Sequence, residues 1–153
     1  MAVVRALTEL TGTRFGLKWP NDVLAPAPTS SALGGKVAGI LVEANTEACY
    51  AVIGIGVKLL GEPPDLGAGR AAASVESAAG VALSRERVAA AILTQLDGLY
   101  GQLRDCGQRP IVDALVPHDV LRGHHVQLST AAGRVGGTAA GIDESGRLLI
   151  QSP

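Results

Sequence analysis

Aromatic residues make up only 3% of this 153-residue chain: one Trp, one Phe and two Tyr. With so few rings, a core must come from small and branched aliphatic side chains, and a hydrophobic fraction of 47% supplies them. Charge is also scarce, at 18% of residues and a net of −1. So much apolar surface excludes a disordered acidic or basic tail. The absence of a basic excess gives no footprint for binding a phosphate backbone, so no nucleic-acid partner is expected from this chain. Only three of the 13 basic residues are lysines: Lys18, Lys36 and Lys58. The two cysteines, Cys49 and Cys106, lie far apart with no CxxC spacing. That argues against a structural zinc site or a disulfide framework, and reduced, buried thiols are expected. There is no basic start followed by a long apolar stretch and a cleavage site. The longest apolar run, residues 49–57 with two glycines, is far below the roughly 18 residues of a membrane span. A soluble, cytoplasmic protein with no membrane partner is expected, with material for about one domain.

Val3, Val4, Leu7 and Leu10 recur at helical spacing and Gly12 offers a stop, which predicts a helix over residues 2–11. Residues 14–19 read as a short strand that Pro20 breaks. Residues 25–35, rich in Pro, Ser and Gly, read as a loop. The apolar runs 37–43 and 49–57 predict a β-hairpin buried on both faces or nearly so. From Gly61 to Gly80 the chain reads as irregular and Ala-rich. Ser84 then caps a long helix striped by Val88, Ile92, Leu96, Leu99 and Leu103, and Gly107 and Pro110 end it. From about residue 117 the pattern turns to short strands over 126–130, 134–142 and 148–151, the beginning of a small barrel.

Three segments could carry chemistry. Lys18-Trp19-Pro20-Asn21-Asp22 puts a cation, an aromatic face, an amide and a carboxylate where a strand runs into a loop. The lysine could neutralise phosphate and the aspartate could hold Mg²⁺ or a sugar hydroxyl. A solvated turn with a snorkelling lysine fits the same residues equally well. Gly34-Gly35-Lys36 could bring backbone close to a ligand, but it lacks the spacing of a phosphate-binding P-loop, and an exposed lysine on a loop is the simpler reading. Gly39, Gly54 and Gly56 interrupt strand patterns, as at bulges or close approaches. Glu43 reads as a solvated charge. His118, His124 and His125 suggest a metal cluster, but neighbours on a strand point to opposite faces, so surface positions are expected instead.

Taken in order, residues 18–22, Gly35-Lys36-Val37-Ala38-Gly39-Ile40-Leu41-Val42-Glu43 and Val52-Ile53-Gly54-Ile55-Gly56-Val57 resemble the biotin protein ligases. The resemblance implies an α+β fold: a partial, class II synthetase-like mixed sheet with helices over residues 1–112, then a small, incomplete SH3-like barrel over 113–153. It implies ATP-dependent activation of biotin to biotinyl-5′-AMP and transfer to a lysine of a biotin carboxyl carrier domain, as in acetyl-CoA carboxylase. By matching position, Lys36 would be catalytic and touch biotin, with Gly39, Leu41 and Gly54 as the biotin wall. Lys18, Trp19, Asn21, Asp22, Gly35 and Lys58 would line the nucleotide, with Asp22 as a Mg²⁺ ligand.

Two departures from the family pattern bear on activity. No Gly-Arg-Gly-Arg occurs in the sequence, where the family carries a Gly/Arg-rich biotin and phosphate loop upstream of the Lys-Trp-Pro-Asn-Asp motif. After Gly54-Ile55-Gly56 the family has an Ile/Val-Asn pair, whereas this chain has Val57-Lys58. A shortened ligase is therefore expected. The alternative is a non-catalytic module that binds a carrier domain or another ligase chain, with a homodimer through the sheet edge.

Overall fold

Helix α1 (Ala2–Thr11) buries Val3, Val4, Ala6 and Leu7 along one side and stops at Gly12, whose φ of 72° is the left-handed conformation that ends helices. The computed structural model describes residues 1–27, 29, 32–61, 72–131 and 133–152. Two short strands follow, β1 (Gly16–Lys18) and β2 (Asp22–Leu24), joined by the turn Trp19-Pro20-Asn21. Two long ones come next, β3 (Lys36–Asn45) and β4 (Tyr50–Val57). These form a four-stranded sheet in the order β1-β2-β3-β4, each neighbouring pair antiparallel. The second strand falls where the sequence suggested a turn, because its three residues are too few to show alternation.

The hairpin β3–β4 corrects the expectation of burial on both faces. Ala38, Ile40, Ile55 and Val57 pack toward α1 and the long helix α3 (Arg85–Cys106), with Ala38 fully buried. The opposite face carries Gly39, Leu41, Gly54 and Gly56, and the distal half of the hairpin is open, with Leu41, Val42, Tyr50 and Val52 each more than half exposed. Aliphatic residues on both faces look alike in sequence whether or not something covers them. Cys49 and Cys106 are free and exposed, which overturns the buried-thiol expectation; Cys49 sits in the hairpin turn with a φ of 53°.

Ser84 caps α3 by accepting from the Arg87 N–H. Val88, Ile92 and Leu99 are buried, each worth about 1.5–3 kcal/mol by removal from water, whereas Leu103 is exposed near the helix end. The stretch read as irregular contains a short helix, α2 (Val75–Ala79), and residues 62–71 lie outside those described. Its signal is Ser74 and Ser77, which form a reciprocal capping box. Pro110 does not merely end α3 but sits in the first turn of α4 (Arg109–Leu115), where a missing N–H costs nothing. After a 3₁₀ turn (Val116–His118), strands β5 (His125–Thr130), β6 (Gly133–Ile142) and β7 (Leu148–Gln151) make a second antiparallel sheet in the order β5-β6-β7.

The two sheets meet along a seam. The Val120 N–H donates to the Leu17 carbonyl at 3.0 Å, Arg14 Nη2 donates to the Pro117 carbonyl at 2.6 Å, and the Trp19 indole N–H donates to the Gly146 carbonyl at 2.9 Å. No helix among the described residues is long and apolar enough to cross a membrane.

Candidate active site

Lys18, Asp22, Gly39 and Gly56 stand side by side across β1, β2, β3 and β4. Directly opposed residues share a face, so one row holds a cation, an anion and two positions without side chains. Leu41 and Gly54 form the next row on that face.

Lys36 reaches this face by an irregularity. Val23 pairs with Ala38 but Leu24 pairs with Lys36, which leaves Val37 as an extra residue in β3. Bulges of this kind re-aim a side chain. Here Val37 is buried and the Lys36 ammonium lies 2.6 Å from Asp22 Oδ1. A Cβ built on Gly39 would stand 2.9 Å from Lys36 Nζ and 3.1 Å from its Cε, so the lysine stem rests on the glycine. Nothing larger than hydrogen fits at Gly39 without displacing the ammonium.

Asn21, Asp22, Lys36, Gly39, Leu41 and Gly54 all open on one cavity of about 490 Å³, the size of ordinary small-ligand sites. These are six of the sequence-nominated residues. Lys18 and Trp19 open instead on a neighbouring cavity of about 370 Å³ against the second sheet. Gly35 packs against main chain: a Cβ there would meet the Ala72 carbonyl carbon at 2.8 Å. Lys58 follows β4, half-buried, with its N–H on the Val37 carbonyl and its own carbonyl accepting from Val75. What sequence reasoning missed is the pairing of Asp22 with Lys36 and the role of Gly39 as its seat.

Among the described residues no group of three or more His, Cys, Asp or Glu could hold a metal ion. Asp22 offers a single carboxylate, which suits Mg²⁺ only where phosphate oxygens and water complete the octahedron. His118 and His124 are half-buried, the former with Nδ1 3.2 Å from the Phe15 carbonyl; His125 and Glu43 are exposed.

No protein-family model matches the chain. It is 35% identical over 147 residues to the biotin–[acetyl-CoA-carboxylase] ligase of Paracoccus denitrificans, covering 92% of this chain and 58% of that protein. The bifunctional ligase/repressor BirA of Bacillus subtilis is 31% identical over 157 residues, 99% of this chain and 46% of its own length. The fold matches that of the Aquifex aeolicus biotin protein ligase in complex with biotin and ATP, with a TM-score of 0.83 and 26% identity over 99% of this chain and 61% of that one. The chain is thus similar to biotin protein ligases along nearly its whole length, and it spans about half the length of the curated relatives it matches.

Proposed function

We propose that this chain, a relative of the biotin protein ligases, carries the lysine-bearing part of such a site and works on biotin, ATP and a biotin carboxyl carrier domain. The Asp22/Lys36 ion pair, seated on Gly39 beside the cavity, is the observation that carries this reading. A biotin carboxylate oxygen attacks the α-phosphorus of ATP and pyrophosphate leaves, giving biotinyl-5′-AMP. The amine of a carrier lysine then attacks the acyl carbon and AMP leaves. The first step brings two anions together; at about 4 Å two like unit charges repel by about 4 kcal/mol where the effective dielectric constant is near 20. An ammonium fixed between them offsets that repulsion and stabilises the charge that builds up on the phosphoryl oxygens. Asp22 holds the ammonium in place. Because the Lys36 and Asp22 side chains are 50% and 30% exposed, the pair contributes little to stability and acts by orientation.

Gly39, Leu41 and Gly54 make the biotin wall. The nucleotide side falls to Asn21 and Asp22, with Lys58 in the place of the family's asparagine and Asp22 as the protein's ligand to a Mg²⁺ that also holds phosphate oxygens; Lys18, Trp19 and Gly35 act from outside the Lys36 cavity. Residues 1–112 carry the chemistry and 113–153 the SH3-like module, in the cytoplasm. Because the sequence contains no Gly-Arg-Gly-Arg loop, negligible turnover is expected from this chain alone. The test is a chimaera that adds the loop-bearing upstream part of the Paracoccus denitrificans ligase, incubated with ATP, Mg²⁺, biotin and a carrier domain. Biotinylated carrier that disappears with Lys36→Ala supports the reading; undiminished labelling refutes it.

The open hairpin favours a second reading, a module that binds a carrier domain or a further copy of itself through β4. Its aliphatic residues are exposed and, among the described strands, β4 pairs only with β3. Sedimentation of the chain alone and with carrier domain separates the two: a complex formed without any adenylate chemistry, in chain and chimaera alike, favours the module.

A further inference from the structure

Trp19 belongs to the Lys-Trp-Pro-Asn-Asp segment, yet its indole turns away from the Lys36 cavity toward the second sheet. Its N–H donates to the Gly146 carbonyl at 2.9 Å, in the turn between β6 and β7. A part-buried indole N–H needs such an acceptor, and the bond is directional.

The acceptor turn is itself tightly built. The Asp143 carboxylate accepts from the N–H groups of Ser145 and Arg147, both at 2.9 Å, and from Arg147 Nε at 2.8 Å. The Gly146 N–H returns a bond to the Asp143 carbonyl at 2.9 Å. Helix α4 braces the outside: Gln108 Nε2 donates to the Glu144 carbonyl at 2.6 Å and Arg109 pairs with the Glu144 carboxylate. On the other side of Trp19, the Asn21 carbonyl accepts from the Ile40 N–H at 2.8 Å, and Asp22 sits opposite Gly39 with its carboxylate on Lys36. Directional bonds therefore anchor both ends of the short 19–22 segment, Trp19 to the β6–β7 turn and Asp22 to the Lys36 ammonium, with three peptide links between them.

We propose that Trp19 is a positioning residue: by holding its indole, the β6–β7 turn of the second sheet fixes the 19–22 turn and, through Asp22, the direction of Lys36. The inference rests on the reading of the Asp22/Lys36 pair as the reacting site.

The composition makes the test clean, because the chain has one tryptophan and three lysines. In the whole chain, tryptophan emission reports Trp19 alone. Lysines labelled with ¹³C at Cε give three resonances, assigned by Lys18→Arg and Lys36→Arg. Asp143→Ala, on the exposed turn, is expected to red-shift the emission and to move the Lys36 resonance toward its position in Asp22→Asn. Trp19→Phe, which keeps a ring but loses the donor, is expected to move the Lys36 resonance likewise. In the Trp19→Phe background, Asp143→Ala is expected to add nothing to that shift. A Lys36 resonance that stays at the wild-type position in both single variants overturns the proposal, as does a full Asp143→Ala shift in the absence of the indole. Should Trp19→Phe lose its native circular dichroism, the Lys36 resonance in Asp143→Ala decides alone. A parallel titration of the chimaera described above with biotin and with Mg²⁺-ATP is expected to show affinity weakened about tenfold in the variants, the usual scale of coupling between sites. If the wild-type chimaera binds neither ligand, the ligase reading fails, while the resonances of the chain itself still decide the positioning.

Discussion

Lys36 and Asp22 approach to 2.6 Å because a one-residue slip between β2 and β3 turns the lysine onto the face where Gly39 leaves room for it. A Cβ at position 39 would meet the end of that lysine, so the present contact depends on both the slip and the glycine.

The first consequence concerns the charge. In the chimaera described above, Lys36→Ala is expected to slow adenylate formation about 10²–10³-fold, the usual loss when one charge-stabilising donor is removed. Pyrophosphate release measures it, and an unchanged rate removes Lys36 from the chemistry.

Gly39→Ala tests the seat. The added methyl meets the far end of a flexible side chain rather than main chain. The melting temperature is therefore expected to change little while adenylate formation falls at least tenfold, in the manner of a small misplacement of a reacting group. A large loss of stability with normal chemistry in the surviving fold would contradict this.

Lys58 stands where the family places an asparagine. Lys58→Asn is expected to alter affinity for ATP with little effect on biotin, as read by calorimetric titration of both ligands against both proteins. A lysine that only reaches toward water leaves both affinities unchanged.

Ser74 is fully buried and caps α2. Ser74→Ala is expected to destabilise the chain by about 1 kcal/mol, with 2 kcal/mol as an upper figure, measured as a shift in the urea midpoint at constant slope. No change would mean that α2 is held by packing alone.

The Asp143 carboxyl is held below its ordinary value, first by the backbone N–H of Arg147 and then by the Arg147 side chain and the Ser145 N–H. A lowered folded-state value contributes stability that is present above the unfolded value, near 3.8, and lost as pH falls through the folded one. The wild type is therefore expected to lose more of its melting temperature than Asp143→Ala does between pH 5 and pH 2. Parallel curves for the two proteins would refute the assignment.

Much of the outline was legible in the sequence. The α1 stripe, the Ser84 cap and the last three strands follow from periodicity and turn residues that local structure obeys. Lys36, Asp22 and Gly39 were singled out by residue type and given roles by a resemblance, and proximity of the three came only from the fold. A bulge depends on how two strands register, which leaves no mark in either strand by itself. The exposure of Leu41, Val42 and Val52 was hidden for a similar reason, since a pattern reports that a face is apolar and not what lies against it. The bond from Trp19 to the Gly146 carbonyl was equally hidden, because its partner lies in the other sheet and a main-chain oxygen has no residue type to notice.

The paired glycines at 39 and 56 give the sheet a floor made of main chain, running across the strands rather than along them. Such a trough takes its shape from peptide planes, whose spacing hardly varies with sequence. At position 39 alone a single methyl reaches the ammonium, whereas at 56 a Cβ would enter open space and narrow the trough from above. Any replacement of either glycine therefore alters the trough itself, from below at one end by moving the ammonium and from above at the other by filling its space.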